Sequence, residues 1–418
     1  MTMRLSTIVV AFAGMMASSI AAHGQAPNSI RIGYAISLSG PNAQGAGMTT
    51  LPNYHLWVRE VNAAGGIMLK GVGKRVPIEV IEYDDHSNVD NAVEAVERLI
   101  TQDKVDFILP PWGTGLNLAV GPVLHDAGYP HLAVTALSDR APELGKLWPN
   151  SFWLLGTMTG AAQGFAETIA KLRSEGKIGN TVAMLSVADQ LGIGLAKAAR
   201  RALKKSGFDL VYDRSYPVEP QDMSAIMTEV KQLNPDSFVA FSYPPDTIAI
   251  TDQARALSFN PKVFYSGVGT AFPLYKQRFG ADVEGVMGLG GWNADGPEGK
   301  AYLKHHLEIT GQEPDRWASP VTYASLQMLQ QAIERVGKLD RVAVIKELQT
   351  GTFGTILGQV KLENNLYKEN WWVGQWQNGE FHGVAPASLP GPSKSCSRSR
   401  RGMTTDRPFC PAGGAARR

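Results

Sequence analysis

The stretch Ile30-Arg-Ile-Gly-Tyr-Ala-Ile-Ser-Leu-Ser-Gly-Pro41 decides the architecture of this 418-residue chain. Ile30, Ile32, Tyr34 and Ile36 form a short β-rich apolar run, and Ser39-Gly40-Pro41 breaks it abruptly, as at a strand that ends on a crevice. Residues 42–47 are small and polar, and a helical pattern then passes through Leu56, Val58 and Val61. A small-residue loop that opens a helix leaves backbone N–H groups facing whatever enters the crevice. An ordinary first strand-to-helix turn would look the same.

Ahead of this segment, Arg4 begins a short basic start, residues 8–17 are apolar, and small residues fill 17–26. That is the pattern of a signal peptide, placed at 1–24 with the mature start near Gln25, so the expected location is periplasmic. No cysteine lies in or just behind the leader, which removes the chemistry for an N-terminal lipid anchor. No later segment reaches the roughly 18 uninterrupted apolar residues a membrane span needs, so no direct membrane insertion is expected. The apolar content of 44% is enough for sizeable cores, and a net charge of +2 carries no electrostatic footprint for nucleic acid. Cys396 and Cys410 both fall near the end, so the globular body cannot depend on a disulfide or a thiolate metal site.

Past Pro27, short β-rich runs alternate with helical patterns. Strands are expected at 30–37, 76–83, 105–110, 129–134, 180–187, 209–216, 236–242, 262–266 and 284–289. Helices are expected at 48–63, 88–103, 115–127, 159–175, 192–206, 222–233 and 246–258, the second of them capped by Ser87. Such alternation implies parallel sheets with right-handed crossovers. Four units close near Pro149 and a second set begins after Gly156, which gives an α/β fold of two similar doubly wound lobes. Residues 151–155 would carry the chain across once, and Gly288-Leu-Gly-Gly291 is a flexible return. Helices at 297–310, 320–337 and 340–349 and β-rich runs at 356–362 and 371–376 would complete both lobes. From about Pro386, Pro, Gly, Ser and Arg dominate, and 386–418 reads as a disordered tail.

Taken together, Ile32-Gly33 to Ser39-Gly40-Pro41, Glu60-Val-Asn-Ala-Ala-Gly-Gly-Ile67, Tyr83-Asp84-Asp85 and Gln190-Leu-Gly-Ile-Gly194 resemble the periplasmic Leu/Ile/Val-binding-protein-like receptors, the type I substrate-binding proteins of ABC transporters. The resemblance runs in order from about Ile30 to His382. It implies two lobes joined by a three-crossing hinge, 27–152 plus 292–355 and 153–291 plus 356–383, closing on a small molecule. This agrees with the tendency of open α/β sheets to bind ligands beyond the carboxyl ends of their strands. The partners it implies are a small-molecule ligand and an ABC permease in the inner membrane, with the receptor a monomer that uses no cofactor. A ligand sensor that presents its closed state to a membrane sensor kinase is the alternative.

The resemblance also assigns ligand-binding positions. Thr114, in Pro110-Pro-Trp-Gly-Thr-Gly115, falls where the family places a carboxylate-binding hydroxyl, although a Thr at a helix start is often only an N-cap. Thr135 matches a backbone-contact position, while Leu137 stands at the family's second hydroxyl. On the other lobe Val268 stands at or beside the acid that pairs with a ligand ammonium. A buried ammonium without a counterion would cost several kcal/mol, so an α-amino acid is disfavoured unless Asp189 or Asp246 reaches in. Leu191 and Tyr243 match ligand-facing aromatic positions, and Gly45 replaces another. Trp112 and Trp317 would add flat apolar surface, though an isolated Trp is usually packing. The expected ligand is an organic carboxylate with an apolar or aromatic body.

Other chemistry finds little support. Asp84-Asp85-His86 has metal donors, but neighbouring residues after a strand point in different directions. His305-His306 reads as a solvated helix face. Gly288-Leu-Gly-Gly291 lacks dinucleotide-loop spacing, and no Gly-x-Ser-x-Gly supports a secreted hydrolase, so no enzymatic activity is expected.

Overall fold

The computed structural model describes residues 27–218, 222–389 and 392–398, so the signal-peptide reading of 1–24 lies outside the described residues. The opening run is strand β1 (Ile30–Ile36), buried on both faces because the helices that follow cover them: Ile32, Tyr34 and Ile36 cluster with Tyr54 and Trp57, and Ala35 clusters with Ala92, Val96 and Leu99. Helices α1 (Ala43–Thr49) and α2 (Leu51–Ala63) follow, then a hairpin of β2 (Ile67–Leu69) and β3 (Lys74–Val76). Next come β4 (Ile78–Asp84), α3 (Val89–Thr101), β5 (Phe107–Leu109), α4 (Thr114–Asp126), β6 (His131–Ala133), α5 (Ala141–Leu147) and β7 (Ser151–Trp153). β1 pairs in parallel with β4 and β5, and β6 pairs in parallel with β7.

The chain then crosses to a second set of elements: α6 (Met158–Ser174), β8 (Thr181–Val187), α7 (Gln190–Lys205), β9 (Asp209–Tyr216), α8 (Ser224–Leu233), β10 (Ser237–Phe241), α9 (Pro244–Ala256), β11 (Val263–Ser266), α10 (Pro273–Phe279) and β12 (Met287–Gly288). It returns through α11 (Pro297–Thr310), α12 (Ser319–Val336) and α13 (Arg341–Thr350), with α11 and α12 packed on α2 of the first set. After the hairpin β13 (Phe353–Thr355) and β14 (Gly358–Val360), β15 (Val373–Gln377) and β16 (Glu380–Ala385) join the second sheet, whose order is β16-β15-β12-β11-β10-β8-β9. β15 and β16 are antiparallel additions to an otherwise parallel sheet. The fold is α/β, with the chain passing between the two sets of elements three times.

At each crossing the backbone is held in place. Residues 288–291 were expected to flex, but Gly290 and Gly291 sit at φ +105° and +117°, and a Cβ on either would strike the backbone of Trp317 or of Gly383. Close backbone approach, not mobility, selects glycine here. In the third crossing, the Trp153 amide donates to Asn365 and the Tyr367 amide donates to Trp153, at 2.8 and 3.0 Å.

Three further expectations are corrected. Asn88, not Ser87, caps α3, its side chain accepting from the amides of Asp90 and Asn91. His306 faces inward and is fully buried beside Tyr302, because its ring reaches the Gln312 carbonyl at the end of α11; only His305 is exposed. Residues 392–398 are docked on the second sheet. The Gln375 and Gln377 side-chain amides donate to the carbonyls of Cys396 and Lys394 at 2.7 and 2.9 Å, and the Arg398 guanidinium lies over the Phe264 ring. Polar contacts with an existing sheet hold a segment too poor in apolar residues for a core of its own. Residues 399–418 lie outside the described residues.

Candidate functional site

Loops at the carboxyl ends of strands in the two sets of elements meet, Trp112 of one against Tyr243 of the other, and the seam between them is the candidate cleft. On the first side the loop after β5 carries Trp112, Gly113 and Thr114. Gly113, not Thr114, is the N-cap residue of α4. Thr114 is the first helical residue, and its Oγ1 accepts the Leu137 amide at 3.2 Å, so the loops after β5 and β6 are tied together. The Gly113 amide donates to Thr135 Oγ1 at 2.9 Å, and Thr135 in turn donates to the Pro111 carbonyl. The first-turn N–H groups of α4 have no acceptor within the helix and concentrate partial positive charge there. A Cβ on Gly115 would meet nothing within 4 Å, so space is open beside this helix end. The arrangement can hold an anion through backbone N–H groups and the Thr114 hydroxyl, whose own proton is still available to donate.

Trp112 lies flat against Gly45, since a Cβ there would fall 2.2 Å from the indole ring. The position that sequence comparison left without an aromatic is therefore filled from another loop. The indole N–H donates to Thr49 Oγ1 at 2.9 Å, which fixes the ring. Its other neighbour comes from across the cleft: the Tyr243 ring, with centroids 5.6 Å apart. Contacts of α4 with α7 and of α1 with α9 also bridge the two sides.

On the second side, Tyr243 precedes α9 and its hydroxyl donates to Asp189 at 2.5 Å. Burial, and then the Asp189 and Asp246 carboxylates, push the Tyr243 hydroxyl well above the ordinary tyrosine range, so it stays protonated. Asp189 also caps α7 through the Gly192 amide, and Asp246 accepts the Tyr216 hydroxyl at 3.2 Å. Val268 is buried and held by its backbone, its amide on the Ser242 carbonyl and its carbonyl on Thr247 Oγ1. Leu191 is buried at the start of α7, two residues beyond Asp189.

The structure thus brings Trp112, Thr114 and Thr135 together and sets Tyr243 against them. Trp317 is placed elsewhere in the hinge, lining a cavity of about 590 Å³ with Trp292, Arg316, Ile356 and Trp371. Asp84 and Asp85 fix the rim of the cleft: Asp84 accepts from the Leu38 amide and the Ser39 hydroxyl, and Asp85 accepts from Ser37. Among the described residues no group of three or more His, Cys, Asp or Glu side chains is arranged to hold a metal ion. Sequence reasoning missed Thr49, which seats Trp112, and Asn117, which sits under the loop. The signal for Asn117 was a lone amide in the apolar run Leu116-Asn-Leu-Ala-Val120, one turn past Gly113.

Two sets of α/β elements, three connections between them and a polar helix end facing the Tyr243 ring are the arrangement in which open α/β folds take a ligand beyond the carboxyl ends of their strands. Residues 29–380 match the model of the periplasmic binding protein family, and the chain belongs to that family, whose members work in the periplasm. Its curated relatives include a Leu/Ile/Val-binding protein homolog 7 of Brucella abortus (strain 2308), 25% identical over 404 residues that cover 89% of this chain and 96% of that protein. A branched-chain amino acid transporter substrate-binding protein of Streptococcus pneumoniae, solved with isoleucine, superposes with a TM-score of 0.74 at 22% identity, covering 86% of this chain and all of that one. A solute-binding protein of R. palustris, solved with benzoate, gives 0.73 at 17% identity, covering 88% and 99%. The type I fold of substrate-binding proteins associated with ABC transporters is thereby shown.

Proposed function

We propose that this protein is the periplasmic receptor of an ABC transporter, binding a small organic carboxylate with an apolar or aromatic body and passing it to a membrane permease without any catalytic step. The observation that carries the reading is the unequal polarity of the two cleft walls. On one side the end of α4, with Thr114 and Thr135, suits a carboxylate. On the other, the family resemblance puts Val268 at or beside the acid that pairs with a ligand ammonium, and Asp189 and Asp246 are engaged by tyrosine hydroxyls. Trp112 and Tyr243 pack on each other between the two sides, and with Leu191, buried close in sequence to Asp189, they would offer an entering ligand apolar contacts. Relatives of this fold carry both isoleucine and benzoate in their solved complexes, so the architecture accommodates either body. Closure about the hinge follows from a ligand that touches both walls only when they meet. The receptor acts as a monomer.

A thermal-shift screen of benzoate, aliphatic carboxylates, leucine and valine against the mature protein tests this. An aromatic or aliphatic monocarboxylate should raise the melting temperature, by mass action worth about 2.7 kcal/mol at a hundredfold excess over Kd. Thr114→Ala should then weaken its binding by about 1–3 kcal/mol. Strong stabilisation by leucine or valine with none by aromatic or aliphatic acids would refute the ligand class and move the ammonium site to Asp189 and Asp246.

A further inference from the structure

We infer that Asn117 is the positioning residue of the cleft, orienting the loop that ends in Thr114 without touching a ligand, and that His131 and Ser151 connect it to the strand from which the first hinge crossing departs. Asn117 is completely buried one turn into α4. Its amide nitrogen donates to the Pro111 carbonyl at 2.9 Å and to the Gly113 carbonyl at 2.8 Å, and lies 3.4 Å from Thr135 Oγ1. Both amide protons are thus spent pulling loop carbonyls down into the protein. The carbonyls of Pro111 and Gly113 are drawn away from the cleft, where they would repel an anion, and the N–H groups at the start of α4 are left to face it.

The acceptor end of Asn117 is used as well. His131 Nε2 lies 3.0 Å from Asn117 Oδ1, and its Nδ1 lies 3.2 Å from Ser151 Oγ. Since Oδ1 can only accept, Nε2 carries the proton and Nδ1 accepts from the Ser151 hydroxyl, an assignment the network itself dictates. Burial lowers His131 to about 4, so at neutral pH the ring offers the one donor and one acceptor that this chain of bonds requires. Ser151 opens β7, and two residues later Trp153 exchanges backbone hydrogen bonds with the third crossing. A polar line therefore runs from Asn117 through His131 to Ser151 and along β7 to the hinge, with Asn117 and His131 each engaged at both ends.

The inference rests on reading this loop as the ligand seat, and a ligand-free measurement keeps the two separable. In amide hydrogen exchange on the mature protein, Asn117→Leu keeps the side-chain size and removes every bond. Exchange in residues 111–116 should rise at least tenfold while β8 and β10 of the other lobe exchange as in wild type. Ser151→Ala, a milder change that is expected to fold in any case, should raise exchange two- to fivefold in both 111–116 and 151–155. Wild-type exchange at 111–116 in Asn117→Leu would overturn the positioning role, and unchanged exchange in Ser151→Ala would overturn the connection to the hinge. If both variants behave as expected and benzoate, aliphatic carboxylates, leucine and valine all fail to bind even wild type, positioning stands and the assignment of the seat fails.

Discussion

Besides the Thr49 hydroxyl, Trp112 packs against two residues that differ in kind, and this separates packing from recognition at the level of single side chains. Gly45 gives the indole a flat bed, and Tyr243 meets it from across the cleft. Gly45→Ala places a methyl inside the van der Waals envelope of the ring, and overpacking of this type costs about 1–3 kcal/mol. Trp112→Ala empties a fully buried site and should cost about 3–5 kcal/mol. The two changes share one volume, so in the Trp112→Ala background Gly45→Ala should be close to neutral. Urea unfolding of the four proteins measures this, and additive costs would show that the ring is not seated on Gly45. The sequence revealed Trp112, Thr114 and Tyr243 as candidates because residue type and loop position are local properties. That Trp112 covers Gly45 was not legible, because it depends on how two distant loops approach each other. The surroundings of Trp317 were hidden for the same reason: its flat surface was visible in the sequence, but the cavity it lines is formed by residues far apart along the chain.

At the scale of elements, long helices and paired parallel strands were readable to within a residue or two, as in β8, α7 and β9, where apolar periodicity is sustained. Short pieces escaped. The strand β7 is three residues long and read as linker, and the hairpin of β2 and β3 fell largely in the unassigned gap between the helix expected at 48–63 and the strand expected at 76–83, since three residues cannot display a period. Helix starts were off by one where two capping residues are adjacent. Ser87 has φ +58° and donates to the Ser39 carbonyl, so it belongs to the cleft rim, while Asn88, with φ −119°, has the extended geometry a cap needs. Asn88→Ala should therefore destabilise the protein by about 1 kcal/mol in chemical denaturation. Ser87→Ala should leave α3 intact and loosen the rim loop, visible as faster exchange of the Asn42 amide that Ser87 Oγ accepts. An equal loss of stability in the two variants would mean that Ser87 shares the capping role.

The whole molecule carries a pH dependence that the buried histidine makes predictable. His131 is held neutral by desolvation, from an ordinary 6.5 down to about 4, with no carboxylate in direct contact to offset the cost of charge. In the unfolded chain the ring takes up a proton below 6.5, whereas in the folded protein it does so only near 4. Between these values the unfolded state binds more protons, so stability falls as the pH is lowered through this window and is fully present above it. The gap corresponds to roughly 3 kcal/mol. His306, also lowered by burial, acts in the same direction, while Asp85, Asp106 and Asp315, raised by burial, act in the opposite one, so the total slope mixes several groups. A difference measurement isolates the one of interest. Urea unfolding of wild type and His131→Leu at steps from pH 7.5 to pH 4 should show the wild type losing about 3 kcal/mol relative to the variant, with the change confined to the interval below 6.5. A difference that stays constant over that range would mean that His131 accepts a proton without cost inside the fold, and the neutral ring that links Asn117 to Ser151 would no longer be the state that operates across the acid range.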